Sequence, residues 1–87
     1  MEGIPGYAMP EVIVLIPGCF EEAMEAVLAV REQKVVLLQA HQLDPDVAQR
    51  AIDFVAGGVS AMDGQAECLD ATTFLFAPAL VNLSHLR

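Results

Sequence analysis

Tryptophan is absent from this 87-residue chain, tyrosine occurs once, and there are only two cysteines and four Lys or Arg residues. Each scarcity excludes something. Cys19 and Cys68 have no CxxC spacing and make no disulfide framework, so a reduced, cytoplasmic setting is the simpler reading. Four bases against twelve acids leave a net charge of −8. Phosphate backbones and anionic lipid surfaces require clustered Lys and Arg, which excludes nucleic acid and a bare membrane surface as partners. Arg31 and Lys34 are the closest pair of bases, while Arg50 and Arg87 stand alone. Apolar runs such as 12–16 and 35–38 fall far short of the roughly twenty residues that span a bilayer. No basic stretch leads into an apolar one near the start, so no signal peptide is read.

What the chain has in excess is apolar side chain. Hydrophobic residues make up 55% of it, and the mean hydropathy is +0.50. A domain this small has too much surface for its volume to hide all of that inside one copy. Part of it is expected on a surface covered by another chain, which makes a homo-oligomer the default expectation.

Residues 1–11 mix Gly and Pro without periodicity and read as a lead-in or linker; 12–83 form the globular core and 84–87 a tail. The β-branched run 12–16 suits a strand covered on both faces or at a protein contact. Helical spacing follows over 20–33, with Glu21 and Glu22 in the first turn and Arg31 in the last, complementing the helix dipole. A second apolar strand covers 35–38. The next helix, 44–58, has Asp44 as a candidate N-cap whose carboxylate can take a free N–H, Pro45 at its first position, and Gly57-Gly58 as a left-handed stop. Strands are then expected at 59–62, 66–69, 72–76 and 81–83, the first two joined by an Asp63-Gly64 hairpin turn. The fold class is an α/β two-layer sandwich, β-α-β-α-β-β-β, with two helices on a mostly antiparallel sheet of about five strands, dimeric.

Both helices carry more grease than one sheet can cover. At about 100° per residue, Phe54, Val47, Ala51, Val55, Ala48 and Ile52 span an arc of roughly 160°, where a helix on one sheet needs about 100°. The first helix is similar, with Phe20, Met24, Val27 and Leu28 on one side. A partner subunit is the natural cover for the surplus.

Catalytic chemistry is not legible. His41 and His85 have no metal-ligand spacing with Cys19 or Cys68, so no metal site and no cofactor is assigned. Ser60 lacks the strand–GxSxG–helix setting of a nucleophile. Gly57-Gly58 follows a helix rather than opening one, placing it at the wrong end for a phosphate loop. Asp44 and Asp46 are accounted for by capping and dipole complementarity. Cys19, just before the first helix, reads as a structural thiol. The chain is expected not to be an enzyme.

The string Ala48-Gln49-Arg50-Ala51-Ile52-Asp53-Phe54, with Gly57 after it and the apolar strand 35–38 before it, resembles the core of the SepF cell-division family, in cyanobacterial wording. Similarity extends upstream over residues 14–23 and downstream through Ser60-Ala-Met-Asp-Gly64 and Thr73-Phe-Leu-Phe-Ala-Pro78. The resemblance implies a homodimeric or polymerising adaptor that binds the C-terminal peptide of FtsZ, supports septum assembly at the division site, and reaches the membrane through an N-terminal helix. Carried over by position, Phe74 matches an aromatic that contacts the FtsZ tail, and Cys68 stands where relatives usually have Lys or Arg. With Leu69 they form the expected peptide-binding set. Gly57 matches a glycine associated with self-assembly, so Val47, Ala51, Phe54, Gly57 and Gly58 form the expected self-association set.

This sequence departs from the family pattern at three places. The base at position 68 is missing, Ala40-His41-Gln42 replaces a more apolar loop, and only the Gly/Pro-rich lead-in precedes Val12, so membrane contact would run through a segment absent from this chain. These departures leave a second reading open: a self-assembling scaffold module that has lost FtsZ binding.

Overall fold

A computed structural model describes residues 10–81. Strand β1 (Val12–Leu15) leads through two short helical stretches, α1 (Phe20–Ala23) and α2 (Glu25–Arg31), to β2 (Val35–Gln39). Helix α3 (Pro45–Ala61) follows, then β3 (Gln65–Asp70) and β4 (Thr73–Ala77). The strands form one mixed sheet in the order β1-β2-β4-β3, with β1 parallel to β2 and the other pairs antiparallel. The parallel pair needs a crossover, which α1 and α2 supply. The sheet therefore has four strands among the described residues, not five. Of the expected last strand, Val81 lies in a bend and residues 82–83 lie outside the described residues.

Register places the core. Ile13, Leu15, Val36, Leu38, Phe74 and Phe76 share the face under the helices. There they meet Ala23, Ala26 and Val30 of the first helical rod and Ala48, Ala51, Ile52, Val55 and Val59 of α3. No polar or charged residue among those described is buried. The rod expected over 20–33 is broken at Met24, although its backbone stays right-handed helical (φ −62°, ψ −23°). The Met24 N–H donates to the Glu21 carbonyl and the Val27 N–H to the Met24 carbonyl, both at 3.1 Å, so the helix tightens locally to three-residue turns.

The glycine pair does not stop α3. The helix runs on to Ala61, no glycine among the described residues has positive φ, and the expected strand 59–62 is its last turn. Val59 extends the buried ridge of Ala51 and Val55, and that packing outweighs the helix cost of two glycines, about 1 kcal/mol each. The stop is Asp63 at φ 59°. Its N–H donates to the Ser60 carbonyl at 2.9 Å and that of Gly64 to the Val59 carbonyl at 2.8 Å, a Schellman motif. Asp63-Gly64 is thus a helix terminus and not a hairpin. Gln33 (φ 70°) closes α2 the same way, with Gln33 N–H on the Val30 carbonyl and Lys34 N–H on the Ala29 carbonyl.

The other sheet face is open at its β1 edge. Val12 and Val14, expected to be covered on both faces or at a protein contact, are 50% and 58% exposed on the edge strand, so among the described residues they are not covered. Val35 and Ala77 are buried on this face beside Leu75 and Val81. The Gln65 side-chain amide holds the turn there by donating to the carbonyls of Pro78 and Val81.

The glycines then separate in a denaturant melt. A Cβ on Gly64 would stand 2.6 Å from Val59 Cγ1 and 2.7 Å from the Ala77 carbonyl, whereas one on Gly57 meets nothing among the described residues within 4 Å. Gly64→Ala is expected to lose about 2–3 kcal/mol. Gly57→Ala, in a right-handed helix, should gain up to about 1 kcal/mol at dilute protein. A loss at Gly57 would contradict an uninterrupted α3.

Candidate binding and assembly surfaces

Alternation along β3 puts Ala66 opposite Phe76 and Cys68 opposite Phe74, on the helix side of the sheet. Both are nonetheless exposed. Helix α3 packs over the β3–β4 pair but leaves this outer strip uncovered. The result is a shelf: Ala66 and Cys68 at its rim, and half-buried Phe74 at its inner edge, stacked on Phe76 with ring centroids 6.1 Å apart. Helix α3, which packs on this pair of strands, carries the exposed Gln49 and Asp53, whose side chains hydrogen-bond at 2.9 Å. Two of the three residues expected to bind a peptide therefore stand directly opposite one another. The third, Leu69, is the extra residue of a bulge between Cys68 and Asp70 and is 51% exposed.

The bulge is secured by Asp70. Its carboxylate accepts the Thr72 N–H at 2.9 Å, and the Cys68 thiol reaches the Asp70 carbonyl at 3.2 Å. The backbone hydrogen bond from Thr72, then the Thr73 hydroxyl, hold the Asp70 carboxyl below its ordinary value of 3.8.

A second surface lies along the outer side of the helices. Phe20 and Phe54 meet edge to face at 5.8 Å, and the Arg50 guanidinium sits 5.9 Å from the Phe20 centroid. Phe54 is 53% and Leu28 48% exposed, beside the open ground over Gly57. Of the expected self-association set, Phe54 and Gly57 are at the surface and Val47 is half-buried. Ala51 is fully buried in the core. Gly58 is used within the chain, where a Cβ would stand 3.1 Å from Val27, so α2 and α3 touch at this point. Leu28 belongs to the same surface but was not in the expected set; its place in the broad arc of the first helix was the available signal.

The remaining chemical candidates do not converge. No group of three His, Cys, Asp or Glu among the described residues could hold a metal ion. His41 is exposed and His85 lies outside the described residues. Cys19 and Cys68 are both free and exposed. The Asp44 carboxylate makes no cap hydrogen bond, contrary to expectation; its carbonyl accepts the Ala48 N–H at 2.7 Å, and Pro45 lacks an N–H needing a partner. Among the described residues no helix is long and apolar enough to cross a membrane.

The family model of the cell division protein SepF matches residues 12–83. The chain belongs to the SepF family. It is 48% identical over 84 residues to the cell division protein SepF of Prochlorococcus marinus subsp. pastoris, covering 94% of this chain and 44% of that one. Against the SepF of Trichormus variabilis the identity is 49% over 84 residues, covering 94% and 42%. The chain thus spans less than half the length of these curated relatives. A SepF-like protein from Pyrococcus furiosus has the same fold, with a TM-score of 0.73 over 86% of this chain and 94% of that one, at 9% identity. SepF is a family of cell-division proteins and not a known enzyme family.

The Asp70 turn gives a pH prediction. A carboxyl with a depressed folded pKa adds stability above its unfolded pKa, and the contribution is lost as pH falls through the folded value. The Thr72 amide resonance should therefore shift with a midpoint below 3.8 in an acid titration followed by NMR. In Asp70→Asn that acid step should be absent.

Proposed function

We propose that this domain is a non-enzymatic cell-division adaptor that self-associates through the outer face of α2 and α3 and binds the C-terminal peptide of FtsZ on the shelf. It would act in the cytoplasm at the division site, with membrane contact left to a segment outside this chain. The observation that carries the binding half is the uncovered strip beside Phe74: Ala66 and Cys68 face the helix layer yet are exposed. A short disordered tail with apolar anchors suits such a strip, because burying one large side chain against Phe74 offsets part of its ordering cost. The assembly half is supported by Gly57. A glycine inside a helix costs about 1 kcal/mol, and nothing among the described residues requires one there. A second copy approaching over Phe54 and Leu28 would. Two copies present two shelves to a filament of FtsZ, and avidity then supplements modest single-site affinity.

Titrating the domain with an FtsZ C-terminal peptide should give saturable binding, weakened roughly tenfold or more by Phe74→Ala. Light scattering should report dimers or larger species, reduced to monomer by Gly57→Lys, which has room in the monomer. Self-association without peptide binding at high micromolar concentration would instead favour the scaffold reading, which the neutral Cys68 at the shelf rim motivates.

A further inference from the structure

We infer that the shelf selects a peptide whose apolar anchor is flanked by Lys or Arg, and that the exposed carboxylate of Asp53 on α3, with a neutral Cys68 in place of a base, sets that preference. This rests on the tail-binding reading above and concerns which tails the site accepts. Asp46, Gln49 and Asp53 recur at i, i+3 and i+7, so one flank of α3 presents two carboxylates with an amide between them. All three residues are exposed. Asp53 Oδ1 accepts from Gln49 Nε2, which orients the carboxylate and leaves acceptor capacity on its second oxygen. At the far end of the shelf stands the exposed Asp70.

None of the bases among the described residues lies on β3 or β4. Between Arg50 and Arg87 the sequence contains no Lys or Arg, so β3 and β4 have none. Arg50 lies over Phe20, on the first helical rod's side of α3. Lys34 pairs with Glu32 at 3.4 Å, and Arg31 is in the last turn of α2. Among the described residues, an approaching peptide thus meets an apolar floor with acids nearby and no base on the strands. Apolar burial supplies affinity to any such peptide, and like-charge juxtaposition at the rim rejects acidic flanks.

The test is a calorimetric titration of the whole chain with two synthetic decapeptides sharing one Phe/Leu core, one flanked by Lys and the other by Glu. The Lys peptide should bind roughly tenfold tighter in about 20 mM salt, the ratio narrowing severalfold in about 0.5 M salt as screening shortens the field. The exposed double substitution Asp53→Lys with Cys68→Lys should reverse the order while leaving the circular dichroism spectrum unchanged. Equal affinities, or tighter binding of the Glu peptide, would overturn the charge preference alone. A Lys preference unmoved by the double substitution would overturn its assignment to this rim. Binding of neither peptide, nor of the FtsZ peptide, would overturn the tail-binding reading itself.

Discussion

Helix α3 sits on the β3–β4 pair through Ile52, Val55 and Val59, and most of the molecule's useful surface is defined by that seating. Each of these side chains contributes about 1.5–3 kcal/mol by leaving water, enough together to fix the rotation of the helix about its axis. Rotation decides everything else. With this ridge turned to the sheet, Gly58 meets Val27 of the neighbouring helix, and Phe54, Gly57 and Asp53 are left exposed. Because α3 leaves the outer strand partly bare, Cys68 stays accessible although it lies on the core side of the sheet.

The end of α3 holds this placement along the helix axis. Asp63 turns the chain through the left-handed region, and Gly64 passes between Val59 and the Ala77 carbonyl with no room for a Cβ. The strand that follows is thereby fixed in register against β4, which in turn sets Cys68 opposite Phe74. Helix stop, strand register and shelf are linked steps of one chain path. The bulge at Leu69, secured by Asp70 and Thr72, then ends the regular pairing.

Much of this was legible from residue order, and the failures have physical causes. The two apolar strands, the broad greasy arcs and the Pro45 start appear where periodicity and capping rules put them. Gly57-Gly58 misled because local propensity favours a stop there, while Val59 continues the i, i+4 ridge of Ala51 and Val55 and tertiary packing outweighs it. Asp63-Gly64 misled in turn, since the same dipeptide serves a hairpin or a helix terminus depending on what precedes it. The pairing of Cys68 with Phe74 could not be read from periodicity at all; it depends on register. The resemblance supplied both residues. Burial of Ala51 and exposure of Ala66 required the helix rotation to be known.

Peptide binding and self-association are proposed to use separate surfaces of one helix–sheet unit. Amide chemical-shift mapping of the isotope-labelled chain with an FtsZ C-terminal peptide tests this separation most directly. Perturbations are expected to concentrate at Ala66, Cys68, Phe74, Gln49 and Asp53, with Leu28 and Gly57 unmoved. Perturbations confined to the open sheet face at Val12, Val14 and Leu37, or to the Leu28–Gly57 face, would contradict it.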